Sequence, residues 1–207
     1  MFPLPGVVLF PHAALALHVF ELRYRTLVRD ALAGGRVLAI ATLRPGWERD
    51  YHGSPEFHEL GCLARCEQVE WLPNDCYQLA LRGLDRVRFG RVQREFPYRA
   101  CEVEPLPDAP FEADDPLVAM EREALLAEVE RLAPHAAEVW FAPPELAPDA
   151  RFDAIVNMLA HRLRITTAAR LELLALDSVF ERARHLHEHL RRAGGAASDP
   201  GPGVGRN

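Results

Sequence analysis

The chain opens with MFPLPGVVLFPHAALALHVFELRYR, residues 1–25, and from Phe2 to Phe20 no side chain carries a formal charge when His12 and His18 are neutral. Such a run suits an export signal, a membrane anchor or the first piece of a folded domain. A secretory signal needs a basic segment before its apolar core, and nothing basic precedes Arg23. A spanning helix needs about 20 apolar residues in continuous helix. Pro3, Pro5, Gly6 and Pro11 break this run, and a mid-helix proline removes a hydrogen bond and clashes with the preceding turn. Two short apolar segments survive, Val7–Phe10 and Ala14–Phe20, which suit two buried strands. The charged stretch from Glu21 then starts a helix.

Composition narrows the classes further. With 207 residues, 49% hydrophobic and 26% charged, the chain is long enough for one large or two small cores and too apolar for wholesale disorder. A net charge of -6 argues against nucleic acid, whose phosphates require a concentrated basic face. All 24 basic residues are arginine. Without lysine there is no phosphate-loop lysine, no Schiff base and no serine-lysine dyad. Cys62, Cys66, Cys76 and Cys101, in a chain read as having no leader, fit free thiols in a reducing cytoplasm.

Downstream, Leu22–Leu32 reads as a helix ended by a left-handed stop at Gly34-Gly35, and Val37–Leu43 as a strand. Arg44–Phe57 is a loop. Leu60–Leu72 and Cys76–Leu81 form a hairpin about Pro73-Asn74-Asp75. Tyr77, Leu79 and Leu81 alternate with polar residues. Beyond a break at Gly83, Val87 and Phe89 alternate with Arg86 and Arg88, and Cys101 and Val103 with Glu102 and Glu104, which places these arginines and glutamates on a solvated face. Residues 1–107 are therefore strand-rich, and 108–116 are a proline-rich linker. Residues 117–193 form a helical bundle with stripes at Val118, Leu125, Leu132 and at Phe152, Ile155, Leu159, Leu163. Thr166-Thr167 caps one helix; Ser178 with Glu181 caps the last, which Gly194-Gly195 closes. Residues 194–207 have little to bury and are expected to be disordered.

Catalytic and metal-binding motifs are sparse. Cys62 and Cys66 lie roughly 13 Å apart along a strand, too far for one zinc. His185 and His189 have ligand spacing on a helix without the HExxH arrangement, and fit a solvated face with His187. The three serines, Ser54, Ser178 and Ser198, sit in no nucleophile elbow. No glycine loop for phosphate is present, so no catalytic residue, cofactor or metal is expected. Arg44, Trp47 and Tyr51 stand out as aromatics with an arginine in a turn-rich loop, the residue types that anchor peptides.

The opening resembles the Lon protease N-terminal domain family, closest to stand-alone bacterial members: Phe2-Pro3-Leu4, Val8-Leu9-Phe10-Pro11 and Leu17-His18-Val19-Phe20-Glu21 followed by Arg23-Tyr24 follow its "FPL…VLFP…LPLHIFE-x-RY" pattern. Glu59–Arg65, Leu81–Arg88 and Leu171–Asp177 with Glu181-Arg182 are similar to later segments of the family. His12, Ala16 and Leu22 depart from the family's residues in the first turn. The resemblance implies an α+β fold, a PUA-like mixed or antiparallel β pseudobarrel with one early helix, followed by a small helical bundle. It also implies a non-catalytic module that binds exposed or unfolded polypeptide segments and lacks the family's ATPase and peptidase. Its partners would be such segments together with a protease or chaperone, with no nucleic acid, no membrane and at most weak self-association. A small-ligand sensor using a barrel cleft is the competing expectation; a deep polar pocket would favour it, and an open apolar groove would favour peptides.

Overall fold

Apolar residues at alternate positions between Val37 and Phe89 build three long neighbouring strands, and the rest of the molecule is arranged around them. In the computed structural model, residues 1–198 are described except 143, 145 and 148, and the side chains of 194–198 are not. The strands are β1 (Phe2–Leu4), β2 (Ala14–Val19), β3 (Val37–Leu43), β4 (Phe57–Leu72), β5 (Cys76–Arg94) and β6 (Ala100–Pro105). They form one open sheet in the order β1-β3-β4-β5-β2, with β6 beside the far half of β5. Among the described residues the β1–β3 pair is parallel and the other pairs are antiparallel. Helix α1 (Leu22–Ala33) follows β2, and α2 (Pro116–Leu132), α3 (Ala136–Val139), α4 (Phe152–Arg162), α5 (Thr167–Ala175) and α6 (Val179–Ser198) follow the sheet. The α+β class expected from the sequence is the one observed.

The opening stretch departs from its reading. Val8, Leu9 and Phe10 are buried, but they lie in a loop, and the strand is Phe2–Leu4 instead. Positive φ at Gly6 and His12, 67° and 64°, bends the chain on either side, so Val7–Phe10 cannot run along a neighbour. Its carbonyls are met by side chains: Thr42 Oγ1 donates to Val7 O at 2.6 Å, and His161 Nδ1 lies 3.1 Å from Val8 O. Ala14–Val19 is a strand, but on the rim of the sheet and largely uncovered. At the end of α1 the left-handed residue is Arg36 (φ 59°), while Gly34 has φ −99°. Helix α6 passes through Gly194 and Gly195 to Ser198. Of the tail expected to be disordered, residues 199–207 lie outside the described residues.

Gly83 does not break β5. The strand runs through it, and a Cβ there would sit 2.0 Å from Phe10 O, so glycine lets the opening loop cross the strand. The pairing of β4 with β5 slips by one residue between Cys62 and Ala64. A one-residue slip exchanges the two faces of a strand. Before it, Tyr77, Leu79 and Leu81 face the main core; after it, Val87 and Phe89 turn to a smaller cluster with Met1, Ala39 and Ala41. Arg86, paired with Cys62, turns inward and is 1% exposed, against the solvated position that plain alternation gives it.

Arg86 meets the helices there. It donates to Leu174 O at 2.8 Å, Pro107 O at 3.2 Å and Asp177 Oδ1 at 3.1 Å. Its Nε lies 2.8 Å from Asp108 Oδ1, an ion-pair contact without hydrogen-bond alignment. Arg182 of α6, fully buried, donates to both oxygens of Asp108, at 2.8 and 3.3 Å, to Asn157 Oδ1 at 2.8 Å and to the carbonyls of Leu173 and Leu176. Residues of 108–116 thus lie within this contact, and one continuous core takes side chains from sheet and helices alike. His12 and Asp153 of α4 add a second tie, 3.3 Å apart.

Two outcomes follow. Arg182→Met strands the Asn157 oxygen without its donor and leaves Asp108 to Arg86 alone, and urea unfolding is expected to show a loss of about 3–5 kcal/mol. The hydrogen bond from His12 and the neighbouring Arg151 hold the Asp153 carboxyl at about 2, against an ordinary 3.8. A pKa depressed by folding contributes stability that is complete above about pH 4 and disappears as pH falls toward 2. Denaturant midpoints measured across that window should fall more steeply for the native chain than for Asp153→Asn.

Candidate functional site

Glu21 has extended backbone, φ −68° and ψ 134°, and turns the chain from β2 into α1. The first turn of α1 therefore presents Leu22 and Arg23 beside the loop that follows Asp50. Arg23 is fixed on three sides. Its Nε donates to Glu21 Oε2 at 3.0 Å, a terminal nitrogen donates to Tyr51 O at 3.1 Å, and the guanidinium lies over the rings of Tyr24 and Tyr51 at 4.6 and 5.1 Å. Tyr51 in turn donates its hydroxyl to Glu21 Oε1 at 2.6 Å. Burial is the main reason the Tyr24 hydroxyl titrates near 12, and its ring stacks on Phe2 at 4.2 Å.

The facing wall is the 95–99 turn between β5 and β6. Arg99 donates from Nε to Glu95 at 3.0 Å and from a terminal nitrogen to Pro55 O at 2.6 Å. Ser54 Oγ donates to the same Glu95 carboxylate at 3.0 Å. Between the walls lies an open cleft of about 310 Å³, floored by Pro3 and Leu43. Leu22 and Phe96 on its rim are 65% and 74% exposed, and Phe20 nearby is 62% exposed. The charged groups are paired with one another, so the surface left for a ligand is chiefly aromatic and aliphatic.

Of the three residues singled out in the sequence, Tyr51 lines the cleft. Trp47 packs edge-on behind it at 5.3 Å, in a short 3-10 turn (Trp47–Asp50). Arg44 is exposed and borders a separate shallow groove beyond Pro55, its Nε donating to Phe57 O at 3.2 Å. The sequence reading passed over Leu22, Tyr24, Phe96, Tyr98 and Arg99. The signal was the string Phe96-Pro97-Tyr98, two aromatics about a proline in a turn, of which Tyr98 enters the core and Phe96 is left exposed.

The polar side chains of the cleft are tied to one another. Ser54 has Glu95 as its partner and no histidine to activate it. Among the described residues, no three histidine, cysteine or acidic side chains are grouped as a metal would need, and no helix is long and apolar enough to cross a membrane. The four cysteines are free. Burial pushes the Cys62 thiol up to about 12 and raises those of Cys66 and Cys101. Thiols so shifted are protonated and poor nucleophiles.

The same fold occurs in a Lon N-terminal domain protein from Xanthomonas campestris, with TM-score 0.58 and 24% identity over 90% of this chain and 95% of that one. It occurs again in the N-terminal domain of the Lon protease of Mycobacterium avium complex, with TM-score 0.66 and 19% identity over 92% and 96%. Lon protease 1 of Herpetosiphon aurantiacus is 26% identical over 92% of the chain but only 24% of its own length, and the Lon protease of Anaeromyxobacter dehalogenans 30% identical over 70% and 16%. The chain thus spans about a quarter or less of these curated relatives. Residues 1–192 match the substrate-binding domain of ATP-dependent protease La (LON), and the chain belongs to that family. The description of that family is a substrate-binding domain.

Thiol titration checks the reading of the cysteines. In the native protein near pH 8, a disulfide reagent is expected to spare Cys62 and Cys66 and to react first with the half-exposed Cys76 and more slowly with Cys101, while denaturant releases all four thiols.

Proposed function

We propose that the cleft bounded by Leu22, Tyr51 and Phe96 holds exposed apolar segments of unfolded polypeptide. The observation that carries this reading is the pairing of every charge in the walls beneath an uncovered aromatic and aliphatic rim. An aromatic rim gives large contact area at small entropic cost and tolerates many sequences, which suits a module that receives varied chains. The family supports the same reading, since its description is that of a substrate-binding domain of a protease. An open cleft of about 310 Å³ is at the small end for a site that must enclose a metabolite, so the sensor alternative is the weaker one. A protease or chaperone acting on the held segment, in a cytoplasmic setting that suits the free thiols, completes the proposal.

The test uses a labelled unfolded protein, reduced and carboxymethylated lactalbumin, followed by fluorescence anisotropy. Leu22→Ser with Phe96→Ser removes exposed apolar area without touching the core, and affinity should fall about tenfold with the circular dichroism spectrum unchanged. Tyr51→Phe, which loses the bond to Glu21 and loosens Arg23, should cost less, about two- to threefold. Undiminished binding by the double variant would sink the assignment of this cleft.

A further inference from the structure

We propose that the open edge of β2 is a second docking site, which takes an extended polypeptide segment carrying carboxylates by adding it to the sheet as a further strand. Among the described residues strand β2 pairs only with β5, and Gly83 N donates to Ala13 O at 2.9 Å. That bond sets the phase of an antiparallel ladder: residues 13, 15, 17 and 19 bond to β5, and residues 14, 16 and 18 point their backbone groups outward. The His161 ring engages the backbone of Ala14. Ala16 and His18 are left with outward N–H and C=O groups that meet no strand among the described residues.

Exposed edges are usually guarded by charge, proline or a bulge. ALALHV has no formal charge apart from what His18 acquires, no proline and no register slip against β5. Beside this edge runs a groove of about 530 Å³ bordered by Leu15, Ala16, Ala80, Phe141, Arg162 and Arg170. It is distinct from the cleft at Phe96 and shares no residue with it. Phe141 is 54% exposed and sits between two guanidinium groups, those of Arg164 at 5.3 Å and Arg170 at 5.1 Å.

The charge of this groove names the occupant. In a chain of net charge -6, Arg162 and Arg170 line this groove and Arg164 stands against the same Phe141 ring from a neighbouring one, and none of the three has a carboxylate partner among the described residues. Arg170 is 9% exposed and donates to Gly6 O at 3.1 Å, yet its Nε is buried with no partner. The carboxylate of Glu67, which also borders the groove, is held by Arg82 at 3.1 Å. The groove therefore offers the outward backbone of Ala16 along one side and, along the other, the guanidinium groups of Arg162 and Arg170, which have no carboxylate partner among the described residues. An extended segment with acidic side chains satisfies both, its backbone on Ala16 and His18 and its carboxylates on the arginines.

The probe is a short fluorescein-labelled peptide of alternating valine and threonine ending in aspartates, compared with the same peptide ending in arginines. The aspartate peptide should bind about tenfold or more tightly than the arginine one, and the preference should weaken with salt. N-methylation of its alternate amides should cost a further factor of about ten, because it removes the edge hydrogen bonds without changing the protein. Arg162→Glu with Arg164→Glu should reverse the preference, and Ala16→Pro should mimic N-methylation while leaving the bonds to β5 intact. Equal affinity for the two peptides, or indifference to N-methylation, overturns the proposal. If Leu22→Ser with Phe96→Ser abolishes binding and the arginine variant does not, the segment lies in the Phe96 cleft, and the edge assignment fails while the cleft assignment stands.

Discussion

The carboxylate of Asp108, shared by the guanidinium groups of Arg86 and Arg182, determines how the helices lie on the sheet. Taking two arginines out of water costs several kcal/mol each unless their donors are met, and nearly all of them are, by carbonyls of α5 and its following turn, by Asn157 and by Asp177. Such a network tolerates little sliding. A helix displaced by one residue would leave several donors unsatisfied, whereas an apolar contact of the same area would accept many alignments. The apolar core supplies the bulk of the burial, and the arginines fix the alignment in which it occurs.

The surfaces proposed for binding depend on that alignment in different ways. The Phe96 cleft is assembled within the strand-rich part, from a helix start, a loop and a β5–β6 turn, each tied by an arginine whose own charge is consumed in the tie. Leu22 and Phe96 are left as contact surface on a stiff frame. The β2 groove exists only because α4 and α5 stand where Asp108 and His12 place them. Its far wall is made by Phe141, Arg162 and Arg170 from the helical half, and its near wall by the sheet.

Much of this fold is legible in the sequence. Periodicity places α1, β3, β4, the turn into β5 and the starts of α5 and α6 near their observed limits, because those segments obey a single period and meet strong signals such as Thr166 and Ser178, whereas glycine marks neither the end of β5 nor that of α6. Two features escape it. Val7–Phe10 is as apolar as a strand, but burial does not require a ladder, and the bends at Gly6 and His12 are set by contacts with Thr42 and His161 far along the chain. Arg86 escapes because alternation assumes a constant face, and the slip opposite Cys62–Ala64 is invisible in a pattern whose odd positions stay apolar on both sides of it. In the site, the aromatic character of the 47–51 loop is evident from sequence. Its facing wall is not, since nothing local links Tyr51 to Phe96.

The separation of these partners along the chain has a consequence for biogenesis. Arg86 finds Asp177 ninety-one positions later, and the amino group of Met1 meets Arg99 O across ninety-eight. A chain emerging from the ribosome exposes the sheet, with its two-sided apolar strands and an unguarded rim, well before α5 and α6 arrive to cover Arg86. Contacts of such long range are slow to form, and the nascent intermediate offers the kind of sticky, half-finished surface that chaperones recognise. A domain whose finished form keeps one uncovered strand edge thus passes, during its own synthesis, through a state in which far more of its sheet is uncovered.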